Sequence, residues 1–417
     1  HQDLHAIFEL ETSLFPCLAE MKARGVKVNL EHAEMVEKNL IKIENNMLQG
    51  IKDEIGFAPD LWAARSIEKV FKHLNLPYPK TEKTQAPSFT KNFLKNHSNY
   101  TINLINNARQ ANKARTTFME SIFRYVHKGR IHADINQLRS EFGGTVTGRF
   151  SMTHPNLQQI PKTGSDMGDQ LRAIFVPEEG HRWGCFDYSQ QEPRLVVHYA
   201  CLTGLPGAEE FKESYIDDSK SDFHKIVSDM ANIPRDQAKT INLGKFYGMG
   251  KNKLKGELGI EDSKAEDIIK QYDARVPFVK QLMNHAMSRA EQRGQIRTLL
   301  GRLCHFHLWE PNQFGIHKPL THEAALLEHG PGIKRAFTYK ALNKLIQGSA
   351  ADMIKKAMLD LYNEGIIPLI QIHDELNISV KDKSESDKII EIMENAVSLE
   401  VPNKVDYESG KHWGEIE

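Results

Sequence analysis

The sequence predicts an α+β fold, and three observations carry that reading. Apolar residues recur at helical spacing in several long stretches, the first being Leu4, Ile7, Phe8, Leu14, Leu18 and Met21. Short strands and turns dominate 130–188. Two short apolar strands flank a tight turn in LIQIHDELNISV at 369–380.

The 417 residues suit two or three domains, or one large fold with subdomains. Apolar residues at 40% and charged residues at 26% are ordinary for a globular chain and exclude a collagen-like or largely disordered one. No apolar run reaches bilayer-spanning length, so no membrane partner is expected. The opening HQDLHAIFELE lacks a signal layout and an initiator Met, and reads as the start of a fragment or processed product. The net charge of −1 argues against a simple basic DNA coat, yet it hides local patches. Residues 239–255 hold five Lys and no acid, and 109–130 hold six Lys or Arg against Glu120. Residues 382–417 reverse the balance, with ten acids against four Lys. Cys17, Cys185, Cys201 and Cys304 form no CxxC pair, as expected of buried thiols in a reducing compartment.

Taken in order, a helix over 4–24 ends at Gly25, and a second runs from about 31 to 55. The Pro-, Thr- and Lys-rich stretch 77–90 reads as an exposed tip, followed by a helix over about 101–127. Two long helices joined through such a tip make an arm more than a core. Residues 205–330 are mostly helical, 306–333 reads as an irregular Pro-containing insertion, and 335–363 is a long helix. The 369–380 hairpin and a helix over 384–398 close the chain.

Three segments carry candidate chemistry. In HRWGCFDYSQQEPRLVVHYA, Asp187 ends a strand, where a carboxylate is held firmly enough to bind a metal. Read alone, it is better explained as a helix cap. His373-Asp374-Glu375 sit at the hairpin turn, where acids alone are usually solvated turn residues. Together, two strand-end acids from distant segments suit a pair of Mg²⁺ ions that clamp the attacking and leaving oxygens of a phosphoryl transfer. In IPRDQAKTINLGKFYGMG, Arg235, Lys239, Leu243 and Tyr247 recur every four residues on one helix face. Two cations suit a triphosphate, and the apolar and aromatic residues a sugar and base. A basic amphipathic surface helix explains the row about equally well. Gly244 and Gly248 weaken its end and would permit a pivot.

With these residues in view, the chain resembles the polymerase portion of a family A DNA polymerase, the bacterial DNA polymerase I class, in a phage-like version. DYSQQEPR at 187–194 matches the first family motif. Arg235, Lys239 and Tyr247-Gly248 match the second, and His373-Asp374-Glu375 the third. TGRFSMTHPNLQQIP at 147–161 matches a further signature, and KALNKLIQGSAADMIK and SGKHWGEIE are also similar. The resemblance runs from about residue 4 to the end.

It implies a right-hand architecture with an antiparallel palm sheet. The expected boundaries are 1–28 for a remnant of the exonuclease–polymerase boundary, 29–127 for the thumb and 205–335 for the fingers. The palm is split between 128–204 and 336–417. It implies template-directed addition of dNTPs to a primer 3′-hydroxyl with release of pyrophosphate, in phage replication, without proofreading in this chain. Asp187, Asp374 and the Tyr188 carbonyl would hold two Mg²⁺ ions, replaceable by Mn²⁺, with Glu375 in support. Arg235 and Lys239 would hold the triphosphate, and Lys239 would protonate the leaving group. Gln190, His224, Leu243 and Tyr247 would line the nucleotide site, and Glu192 would exclude a ribose 2′-hydroxyl. Arg149, Asn156, Gln158, Arg297, Arg302, Asn343, Gln347 and His373 would contact DNA. For Asn343 and Gln347 the helix pattern adds support, because amides within or beside the apolar arc of Leu342, Ile346, Ala350, Met353 and Ala357 need partners. Arg297 and Arg302 are equally well explained as surface arginines. The expected partners are primer–template DNA and dNTPs, with replisome accessory proteins open, for a monomer in the host bacterial cytoplasm.

The departures are specific. Leu243 replaces a usual Phe or Tyr, Tyr339 a usual Arg, and Gln191 and Pro193 the commoner Ile and Leu. Two competing readings are a single-subunit RNA polymerase, against which Glu192 counts, and a non-catalytic DNA-binding accessory. Asp187, Lys239 and Asp374 count against the second.

Overall fold

The computed structural model describes residues 4–81, 84–141, 143–162, 166–249, 256–258, 262–313, 315 and 317–416. Lys251, Lys253 and Lys255 of the basic run lie outside the described residues. The chain divides into two compact units. One comprises His1–Ala23, Ile135–Met152 and Gly184–Glu408, and the other Arg24–Asp134, Thr153–Trp183 and Ser409–Glu417. Each strand pairing with a described register is antiparallel. With long helices around these small sheets, the fold is α+β.

The strands Ile370–Ile372, Glu375–Val380, Arg182–Tyr188 and Val405–Gly410 lie side by side in that order. Trp183 and Cys185 are buried as the alternation predicts, but so are Gly184 and Phe186. The strand is central and covered on both faces, so its period-two signal is lost. Gly184 is required by this packing, since a Cβ there would come within 2.7 Å of the Val380 side chain. The helix Ala341–Asn363 buries Leu342, Ile346, Ala350, Met353 and Ala357, the arc expected from the sequence. Helices Phe223–Ala231, Arg235–Phe246, Asp262–Arg275 and Pro277–Arg293 share the same core. Phe211, Phe223, Phe246 and Phe278 meet there edge-to-face or tilted, with Phe211–Phe278 centroids 5.1 Å apart. Each buried ring contributes roughly 1.5–3 kcal/mol of transfer free energy.

The 306–333 insertion is more ordered than its prolines imply. Strands Trp309–Pro311 and Ile333–Arg335 pair antiparallel, and the helix His322–His329 lies between them in the chain. Trp309 organises this element: its ring lies 4.6 Å from the His322 ring and 4.6 Å from the Arg335 guanidinium.

The second unit is built on Leu30–Ile55 and Tyr100–Lys113. Asn29 caps the former by accepting from His32 N–H at 3.0 Å, and Gly56 ends it in the left-handed region. The expected 101–127 helix is continuous to Tyr125 but passes through a π-helical turn, Ala114–Met119. This unit has its own core, contrary to a bare arm. Ile51, Ile67, Phe71, Leu94 and Ile105 are buried together, with the helix Ala64–His73 closing one side.

Candidate active site

The central strand ends at Asp187-Tyr188, and the hairpin turn presents His373-Asp374. Tyr188 N–H donates to the Asp374 carbonyl at 3.2 Å, so the two acids stand at neighbouring strand ends although 187 residues separate them in sequence. The strand ladder and the turn fix both backbones. Ile372 pairs with Glu375, leaving a two-residue turn with His373 at a φ of 55°. The Tyr188 side chain is buried and donates to the Met393 carbonyl at 2.5 Å. Burial pushes its phenol well above the ordinary range, so it anchors the strand end as a neutral group. Asn377, fully buried, donates to the Glu375 carboxylate at 2.5 Å and accepts from the Cys185 thiol at 2.9 Å. Asn377 was not singled out from the sequence. Asp187, Asp374 and the Tyr188 carbonyl are hard oxygen donors. No group of three or more His, Cys, Asp or Glu suited to a metal occurs among the described residues. So sparse a donor set fits Mg²⁺, which keeps waters and substrate phosphates in its shell.

On the Arg235–Phe246 helix, Ala238, Ile241, Asn242, Gly244 and Phe246 face the core. Arg235 and Lys239 are exposed, Leu243 is half-buried, and Tyr247 caps the helix. The four-residue row therefore faces outward. Gly248 has a φ of 65°, and a Cβ there would meet the Tyr339 carbonyl at 2.3 Å. Close packing at the helix end, rather than pivoting alone, demands this glycine.

Arg235 pairs with Asp222 at 2.6 Å. Burial raises the Asp222 carboxyl, but the Arg235 contacts outweigh it and the net shift is downward. Asp222 also caps the next helix, accepting from His224 N–H at 2.9 Å. His224 is buried, and a polar chain fixes its ring. Tyr272 donates its hydroxyl to Asn242 at 2.7 Å, and Asn242 Nδ2 meets His224 Nδ1 at 2.8 Å. Burial, with Arg235 and Lys239 nearby, lowers the imidazole to about 4, so it is neutral at pH 7. Gln190 is engaged by its own surroundings: Oε1 accepts from Phe223 N–H at 2.7 Å and Nε2 donates to the Ser221 carbonyl at 2.9 Å. Its contribution is to tie two helix starts together.

Glu192 is held at both oxygens. Arg149 donates to Oε1 at 2.7 Å, and the Tyr247 hydroxyl to Oε2 at 2.9 Å. The Tyr247 phenol, with Gln347 beside it, is pushed up to about 12 by burial and by Glu192. The Arg149 Nε is buried without a hydrogen-bond partner among the described residues. Thus Arg149, Glu192, Tyr247 and Gln347, drawn from four chain segments, form one cluster. Asn343 is half-buried on the same helix as Gln347, and His373 is exposed.

Arg297 is exposed and, with Arg289 and Arg293, lines a cavity of about 490 Å³. The latter two arginines escaped notice in the sequence, although their four-residue spacing puts them on one face. Arg302 has a different setting: it pairs internally with Asp352 at 2.9 Å and with Glu11, and only 12% of its side chain is exposed. Asn156 and Gln158 belong to the second unit, where Asn156 accepts from Gln158 N–H at 3.1 Å to cap a short 3₁₀ turn. Cys17, Cys185 and Cys304 are buried, and Cys201 is half-buried. No described helix is long and apolar enough to cross a membrane.

A sequence profile of DNA polymerase family A matches residues 30–415, and the chain belongs to that family. Among individual relatives, it is 33% identical to the DNA-directed DNA polymerase of Pseudomonas phage M6, over 99% of this chain and 66% of that protein. It is 32% identical to the thermostable DNA polymerase I of Thermus filiformis, over 97% of this chain but 48% of that protein. A solved structure, the POL domain of Pol1 from M. smegmatis in complex with DNA primer-template and dNTP, superposes with a TM-score of 0.78 at 26% identity. It covers 97% of this chain and 70% of the other. The chain thus corresponds to a part of its longer relatives.

Proposed function

We propose that this chain is a DNA-directed DNA polymerase that adds dNTPs to a primer 3′-hydroxyl and releases pyrophosphate, in phage DNA replication. The observation that supports it most is the backbone hydrogen bond that brings Asp187 and Asp374 to adjacent strand ends. In this reading Asp187, Asp374 and the Tyr188 carbonyl hold two Mg²⁺ ions. When bound, such ions neutralise charge at the reacting oxygens. Glu375, fixed by Asn377, supports the hairpin beside them. Arg235 and Lys239 take the triphosphate, which requires Arg235 to exchange Asp222 for phosphate. Lys239 delivers a proton toward the leaving pyrophosphate. Neutral His224 adds a hydrogen-bonding group on the same side without adding charge. The work of the site is positioning and charge complementarity, without a covalent intermediate.

Glu192, clamped by Arg149 and Tyr247, has little freedom to yield to a ribose 2′-hydroxyl, and this favours dNTPs over NTPs. The buried Arg149 Nε is a donor suited to an acceptor on the primer end, and Asn343 and Gln347 suit minor-groove acceptors. Arg297, with Arg289 and Arg293, suits template phosphates, whereas Arg302, held by Asp352 and Glu11, acts as a positioning residue. The thumb, palm and fingers boundaries expected from the sequence remain part of this proposal, as do DNA contacts by Asn156 and Gln158. The test is extension of a labelled, matched primer with Mg²⁺. We expect extension with dNTPs, little with NTPs, and none with excess chelator. Preferred use of NTPs would make it an RNA polymerase, and no extension with either would leave a DNA-binding accessory.

A further inference from the structure

The second unit carries a cavity that the proposed chemistry does not use. It has a volume of about 760 Å³, within the range of small-ligand sites. Trp62, Phe89 and Phe118 contribute aromatic surface, and Lys91, Lys95 and Lys113 contribute exposed cations. Among the described lining residues there is no carboxylate.

Trp62 is the informative residue. Its large aromatic side chain is 57% exposed and borders the cavity. It is also held in place. Its indole N–H donates to Asn112 at 2.9 Å, and the Asp60 carboxylate accepts from its backbone N–H at 2.8 Å. The Arg109 guanidinium lies 5.4 Å from the ring centroid. Arg109 is itself tied down by the Leu61 carbonyl at 2.5 Å and the Phe89 carbonyl at 3.3 Å. The result is a fixed, open indole beside a fixed guanidinium and exposed lysines. A pre-positioned ring loses little entropy on binding.

We propose that this cavity binds an unpaired nucleotide of single-stranded DNA. The base stacks on Trp62, and Lys91, Lys95 and Lys113 meet the flanking phosphates. Aromatic platforms interleaved with basic side chains are the general chemistry of single-strand binding, because every base offers a π face whatever its sequence. A duplex would satisfy the lysines but has no free base to stack, so the Trp62 contribution distinguishes the two partners. The choice of DNA over another acidic, aromatic polymer rests on the polymerase reading.

The experiment measures the full chain binding fluorescent oligo-dT and an abasic oligomer of equal length and charge, for wild type, Trp62→Ala and Trp62→Phe. Wild type should bind oligo-dT about tenfold or more tightly than the abasic strand, the scale of one base–aromatic stack. Trp62→Ala should lose that preference and Trp62→Phe should keep much of it. Equal preference in wild type and Trp62→Ala would overturn the proposal. So would a poly(Glu,Tyr) peptide binding wild type as tightly as oligo-dT. Wild-type extension of a primed template is scored in parallel. If extension succeeds while the base preference is absent, only the cavity assignment fails. If no extension occurs, the polymerase reading fails separately.

Discussion

Replacing Asp352 tests the account of how the first unit is held together. Asp352 is fully buried on the Ala341–Asn363 helix. Its Oδ1 accepts from Arg302 Nε at 2.9 Å, and its Oδ2 from the Thr298 hydroxyl at 2.5 Å and Leu300 N–H at 3.2 Å. Arg302 also pairs with Glu11, which in turn binds the fully buried Lys355 at 2.8 Å. Burial raises the Asp352 carboxyl despite Arg302, so the charge sits in a costly place and depends on these partners. Asp352→Ala would strand the guanidinium with Glu11 alone and orphan a hydroxyl and an N–H. Removing one member of a buried pair costs about 3–5 kcal/mol. Asp352→Asn keeps the shape but turns a donor toward donors, at roughly 1–3 kcal/mol. Urea unfolding of the full chain, followed by far-UV circular dichroism, measures both. An Asp352→Ala change below about 0.5 kcal/mol, the range of an ordinary surface substitution, would refute the reasoning.

Two further predictions concern the nucleotide side. Glu192→Ala should raise the ratio of ribonucleotide to deoxynucleotide incorporation by about tenfold or more, since a clamped carboxylate is replaced by space; single-nucleotide extension reads the ratio, and an unchanged value removes the gate role. His224 has its folded pKa lowered to about 4 from 6.5, so its stabilising contribution is complete above pH 6.5 and is lost as pH falls toward 4. Unfolding free energies should therefore decline over that window less steeply in His224→Gln than in wild type, and parallel declines would contradict the burial argument.

How much of this was legible in the sequence depends on how local each signal is. The Arg235–Tyr247 row could be read because helical spacing alone places those side chains on one face. The approach of Asp187 to Asp374 followed from two strand-end acids plus the family motifs; spacing by itself left both as cap or turn residues. Partners supplied by distant segments were not legible. Asn242 and Tyr272 looked like ordinary helix residues, yet they set the state of His224. Glu11 and Lys355 meet across 344 residues, and no periodicity marks such a pair. Arg302 reads as a phosphate contact only through the family resemblance, and its two carboxylate partners, Glu11 and Asp352, lie far away in sequence. The 306–333 insertion misled in the opposite sense. Its prolines suggest irregularity, but Pro311 lies in a two-stranded pairing in which each strand is an edge, the setting that tolerates a missing N–H.

The central claim is that Asp187 and Asp374 form one metal-binding site beside the basic helix row. The most direct measurement is Mg²⁺-dependent primer extension by wild type, Asp187→Asn and Asp374→Asn, with primer–template affinity measured on the same proteins. The account predicts that each substitution lowers the extension rate by at least about a hundredfold, the scale of removing one preorganised electrostatic group, while DNA affinity stays within a few-fold. Extension by either variant at a rate close to wild type would contradict it.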